Sequence, residues 1–157
     1  FALAELVNLH SPALQFKPVH RILTGVSPEE LSAAFGQWLA ARGMGLESGN
    51  DIVFLRDEVR RGYRITGAGD RLPIALVQPF LDDFRKLHPA CGIDYIHGDE
   101  VLARLAHETG GCGILLPPIS KSSLFPGIRA GGVLPRKTFS MGEAQEKRYY
   151  FECRKIL

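Results

Sequence analysis

The sequence has three cysteines, Cys91, Cys112 and Cys153, and no Cys-x-x-Cys. An odd count without framework spacing excludes a disulfide scaffold and a zinc ribbon, so reduced, unpaired thiols are expected. No apolar run approaches the ~20 residues that a membrane-spanning helix needs. Phe1-Ala2-Leu3-Ala4 carries no basic residue and Glu5 cuts it short, so no secretory signal is read and a cytoplasmic setting is expected. There is no internal repeat and no low-complexity tract. The sequence also lacks a Gly-x-Ser-x-Gly elbow, a His-Glu-x-x-His pair and the Walker glycine pattern. Gly67-Ala68-Gly69 has no third glycine and no strand–helix setting, so it does not read as a dinucleotide loop.

What is present is an ordinary globular composition. The chain has 157 residues, 45% of them hydrophobic, 23% charged and 9% aromatic, which argues against disorder. A chain of this length can bury roughly two-thirds of its unfolded surface without metal or disulfide support. The net charge of +2 hides an asymmetry. Residues 120–157 hold eight cations against three carboxylates, a net +5, and residues 1–119 carry a net −3. A basic segment on a slightly acidic body fits an anionic partner, or equally a solvated helix face with i,i+4 ion pairs. The chain opens on Phe1 and not Met, so a piece of a longer protein is expected.

The pattern predicts an α+β fold in which helices pack on a mixed β-sheet within one domain. Strands are expected over Leu3–Leu9 and over Leu14–Leu23, the second interrupted by Pro18. Ser27-Pro28-Glu29-Glu30 opens a helix with a cap, a proline and a glutamate in their favoured places. Leu31, Phe35, Trp38 and Leu39 form its apolar stripe, and Gly43 ends it. Ile52–Arg56 and Tyr63–Thr66 read as a hairpin, with Gly67–Gly69 closing it. Pro73 begins a second helix carrying Leu76, Phe80, Phe84 and Leu87, kinked or divided at Pro79. Ile93–Ile96 is a strand, Asp99 caps a helix, and Gly113–Leu116 is another strand. Ser120–Phe125 is a single helical turn, and Gly131–Phe139 a strand plus loop. Ser140-Met141-Gly142-Glu143 reads as a second capping box, opening a C-terminal helix to Ile156. Tyr149-Tyr150-Phe151 leaves a strand open as the alternative there.

Four stretches carry a family likeness. They are Pro18-Val19-His20-Arg21, Asp94-Tyr95-Ile96-His97-Gly98, Leu116-Pro117-Pro118-Ile119-Ser120-Lys121, and Leu134-Pro135-Arg136-Lys137-Thr138-Phe139-Ser140-Met141-Gly142-Glu143-Ala144 with Glu146-Lys147-Arg148-Tyr149-Tyr150 after it. In these the chain resembles the C-terminal part of domain-of-unknown-function family 1015, some of whose members are loosely labelled ParB-like. The resemblance implies a missing N-terminal half that would be this chain's first partner. It also implies a remote relation to a fold that binds nucleotides and, in one branch, phosphorylates free serine. It assigns no catalytic residue. It implies only that the motif-rich positions gather at one site.

The residues themselves point to anion chemistry. Arg136 and Lys137 are adjacent cations followed by Thr138 and Ser140 at an expected helix N-terminus, where free N–H groups and the dipole favour an anion. Arg136 can grip phosphate or carboxylate bidentately, with Lys137 as a point charge. Ser120 and Lys121 repeat that chemistry after a strand. His97 lies where a strand runs into a helix, and His20 and Arg21 form a charged pair on a strand. Arg136, Lys137, Ser140, Lys121, Ser120, His97, His20 and Arg21 form the candidate ligand site for a phosphate-bearing small molecule or nucleotide, within what the resemblance implies is a larger phosphotransferase. Asp94, His97 and Asp99 match no standard ligand spacing, so no metal is expected. No nucleic-acid reading motif is present and the basic patch is short, so nucleic acid is not expected. The alternative function is a non-catalytic module that docks on the N-terminal half or on a protein partner.

Overall fold

The first helix forms as its residues dictate. In a computed structural model, which describes residues 8–142, Ser27 caps α1 (Pro28–Ala40) and its Oγ accepts the Glu30 N–H at 3.1 Å. Leu31, Phe35 and Leu39 are wholly buried. Trp38, expected to lose most of its solvent contact, is only partly buried. It lies on the flank of the stripe, where Nε1 donates to Asp83 at 3.1 Å and Arg42 stacks on the indole at 3.6 Å.

Five strands form one sheet: β2 (His20–Leu23), β3 (Gly45–Arg56), β4 (Val59–Thr66), β5 (Ile93–Ile96) and β6 (Cys112–Leu115). Their order is β4-β3-β6-β2-β5, and every ladder is antiparallel. The short β1 (Phe16–Pro18) pairs separately with β7 (Phe139–Met141). α1 and α2 (Pro73–Leu87) cover one face of the sheet, where Phe35, Phe54, Phe80 and Ile114 form the main core. α3 (Asp99–Thr109) covers the other, over Ile22, Leu55, Leu102 and Leu115. The α+β class expected from the sequence is therefore present.

Several boundaries differ from expectation for identifiable reasons. The hairpin begins at Gly45 and turns at Asp57-Glu58, with Asp57 at φ +52°. Glu47 to Asp51 is polar and glycine-bearing and reads as loop. It continues as strand through a register shift between Ser48 and Ile52. Gly62 is required there, since a Cβ would stand 2.2 Å from the Gly49 carbonyl oxygen. α2 runs unbroken through Pro79, which lies on its exposed side, where water can serve the carbonyl left without its N–H. Leu87 is 80% exposed and not on the buried stripe. Gly98, not Asp99, is the cap of α3. α4 (Lys121–Gly131) is eleven residues rather than one turn. Gly127 lets it close on Leu72, whose Cγ would meet a Cβ at 2.5 Å.

Ser140 lies within β7, paired with Lys17, and is not a helix cap. The C-terminal helix expected after it, the strand expected over Leu3–Leu9 apart from its last two residues, and Cys153 lie outside the described residues. Cys91 and Cys112 are buried free thiols, and burial pushes the Cys112 thiol up to about 12. Among the described residues no helix is long and apolar enough to cross a membrane.

Candidate functional site

Side chains alternate across a strand, so adjacent residues of β2 serve opposite faces of the sheet. His20 faces α3 and is 2% exposed. Its Nδ1 accepts the Leu116 N–H at 3.1 Å, and its Nε2 lies 2.9 Å from the Asp99 carboxylate. An acceptor at Nδ1 leaves the proton on Nε2, which donates to Asp99, so the ring is neutral. Burial holds the His20 pKa below the usual histidine value, opposed by the Asp99 charge and hydrogen bond. Asp99 thus serves His20 instead of capping its own helix.

Arg21 faces α2 and is 0% exposed. Its Nε donates to Gln78 Oε1 at 2.9 Å, one terminal nitrogen to the Val19 carbonyl at 2.6 Å, and the other to the Arg136 carbonyl at 3.2 Å. Its Cζ stands 4.6 Å from the centre of the Tyr95 ring. Tyr95 OH in turn accepts the Arg136 Nε–H at 2.9 Å. Gln78, whose oxygen is engaged by Arg21, donates its amide to Asp82 at 3.0 Å, and Asp82 lies 3.8 Å from the Arg136 guanidinium. These five side chains close a ring joining β2, α2, β5 and the loop before β7. Burial lowers the Arg21 pKa to about 10, and the hydrogen bond to Tyr95 raises that of Arg136. Among the described residues, no carboxylate is within ion-pair distance of Arg21.

The four stretches singled out in the sequence are therefore in physical contact. His20 holds Leu116, Arg21 holds Arg136, and Tyr95 meets both arginines. Phe16 and Phe139 pack at 4.5 Å where β1 meets β7. Of the expected ligand residues, Arg136 and Lys137 are exposed on the loop, and His97 is exposed just past β5, with its charge bearing on His20. His20 and Arg21, expected beside them, are instead buried and engaged from within. Ser140 is buried in β7 and offers no helix terminus.

Lys121 is engaged by the backbone. Its ammonium donates to the Ser11 carbonyl. Ser120 caps α4, with its Oγ accepting the Ser123 N–H at 3.0 Å. The start of α4 borders an open groove of about 480 Å³ lined by Asp70, Arg71, Pro118, Ser122, Ser123 and Pro126. Among the described residues no three His, Cys, Asp or Glu side chains gather as a metal set.

Sequence reasoning missed Gln78, Asp82 and Tyr95 as members of the site. A signal existed for the first two: Gln78 interrupts the apolar run of α2, and Asp82 follows four residues later on the same side. Tyr95 was visible as part of a motif, but not as the ring between two arginines.

An antiparallel sheet covered on both faces by helices, with an arginine–tyrosine ring along its β2–β5 margin, defines the class of architecture. Solved structures similar to this chain in fold sharpen the comparison. The chain is similar to a conserved hypothetical protein from Pyrococcus furiosus, with a TM-score of 0.59 and 13% identity over 89% of this chain and 61% of that one. It is also similar to a free serine kinase (E30A mutant) in complex with AMP, with a TM-score of 0.58 and 13% identity. The same kinase in complex with ADP gives 0.58 and 14%. Each kinase match covers 88% of this chain and 58% of that chain. The chain thus spans about three-fifths of the proteins whose fold it shares. No family model matches it, and no curated protein matches it.

Proposed function

We propose that the chain binds a phosphate-bearing ligand, with a nucleotide as the leading class, at the exposed face formed by Arg136, Lys137, Tyr95 and His97. It would do so as the C-terminal portion of a larger phosphotransferase, within domain-of-unknown-function family 1015. One observation carries the reading: two guanidiniums share the Tyr95 ring while, among the described residues, one carboxylate, Asp82, is within ion-pair distance of them, 3.8 Å from Arg136. Cations crowded beyond their local counter-charges favour an incoming anion. Arg136 keeps 65% of its side-chain surface in solvent and retains terminal N–H groups for bidentate contact. The fold shared with a kinase solved with AMP and with ADP supports a nucleotide over simple phosphate.

Titration calorimetry with ADP, AMP, ATP and pyrophosphate tests this. Binding by the wild-type chain, weakened roughly tenfold or more in Arg136→Gln, is the expected result. No heat from any of the four ligands sinks the reading. The docking module would then take its place. The observation favouring that module is the exposure of Phe125 and Val133, 59% and 94%, within and just after α4.

A further inference from the structure

We infer that Arg21 is a positioning residue: from beneath the surface it sets the Arg136–Lys137 turn in the shape that presents both cations to a ligand. The inference rests on the anion-binding reading of that turn. Arg21 is 0% exposed and cannot itself meet a ligand arriving from solvent. Besides the Asp82 carboxylate, two holds on residue 136 nevertheless run through it. Its terminal nitrogen takes the Arg136 carbonyl at 3.2 Å, and its guanidinium plane backs the Tyr95 ring whose hydroxyl takes the Arg136 Nε–H.

The next residue shows what the hold achieves. Lys137 sits at φ +55°, a left-handed conformation that residues with a Cβ rarely adopt without support. Arg21 fixes the carbonyl on one side of it, and Thr138 Oγ1 donates to the Pro135 carbonyl on the other, closing the turn. The left-handed kink turns the chain sharply between Arg136 and β7. Only a planar fork performs the Arg21 part. It reaches Gln78, the Val19 carbonyl and the Arg136 carbonyl at once while lying over an aromatic ring. A lysine would keep the charge but bring one point of donation and no plane to stack.

The test combines hydrogen exchange with binding on the full chain. In Arg21→Lys, amides of residues 134–139 should exchange roughly tenfold faster while those of β3 and β6 keep their protection. The Kd for pyrophosphate should rise about fivefold with charge conserved. Lys137→Gly supplies a control that does not depend on how well Arg21→Lys packs. Glycine enters the left-handed region at little cost, so the added effect of Arg21→Lys on loop exchange should shrink in that background. Unchanged exchange at 134–139 in Arg21→Lys overturns the positioning role. So does an equal loss of protection across the whole sheet, which would make Arg21 a general structural residue. A wild-type chain that binds no pyrophosphate, AMP or ADP overturns the anion reading alone, because loop exchange reports the hold with no ligand present.

Discussion

Where the loop after β6 enters α4, the Lys121 ammonium donates to a backbone carbonyl and Ser120 caps the helix. In the loop between α4 and β7, the Arg136 guanidinium stands mostly in solvent beside Tyr95, with Lys137 exposed next to it. By composition the two loops are alike, each a cation beside hydroxyls. They differ in who uses the donors. The chain's own groups engage those of the first loop, while the second keeps a charged fork facing outward. Neighbouring residues of one strand hold the two loops, His20 taking the Leu116 N–H and Arg21 the Arg136 carbonyl. Like ingredients thus give an internally bonded joint in one place and an outward-facing cation in the other.

The largest effect expected from that difference is in ligand binding. Arg136→Gln should weaken pyrophosphate binding roughly tenfold, about 1.4 kcal/mol, and Lys121→Gln by less than about twofold. Calorimetry on the pair decides it, and equal losses would put Lys121 back in the site. Next comes Ser120→Ala, which removes the α4 cap and should cost about 1 kcal/mol in urea unfolding without changing pyrophosphate affinity. A coupled loss of affinity would show that the first loop reaches the ligand after all.

The smallest effect concerns how each loop's support responds to acid. Burial places the folded pKa of His20 below the ordinary value of 6.5, so the folded state binds fewer protons than the unfolded chain. The stability linked to His20 is present above the unfolded value and is lost as pH falls toward the folded one. His107, exposed at the far end of α3, is the opposite case. Its hydrogen bond to Asp57 raises its pKa, so its contribution is present below 6.5 and fades as pH rises through the raised value. Unfolding curves across this range should show His20→Gln flattening the acid loss and His107→Gln steepening it. An identical slope in both variants would mean that His20 is not buried as a neutral ring and that the His107–Asp57 pair is not formed in solution.

The helices were legible in the sequence where local chemistry decides them. Ser27-Pro28-Glu29-Glu30 and the stripe through Leu31, Phe35 and Leu39 need only nearest-turn interactions, and α1 follows from them. The second Ser-x-x-Glu misled, because Ser140 has a partner strand distant in sequence at Lys17 and the ladder competes with the cap. The α4 boundary misled for a similar reason. The helix runs on past Phe125 to where Leu72, far away along the chain, presses against Gly127.

The site divides along the same line. Residue type and spacing were enough to give the cations, the hydroxyls and the α+β class, while the four stretches were marked out by the family resemblance. Sequence alone could not decide which of those cations face outward. His20, Arg21, Lys121 and Arg136 are alike as cationic side chains on paper, yet two are buried, one donates to a carbonyl and one is open. That sorting depends on which side of β2 each residue faces, and on Gln78, Asp99 and Tyr95 being brought to it by other elements. Hydrogen bonds and burial act over a few ångströms of space, whatever the separation along the chain, so only the packed tertiary structure makes that assignment.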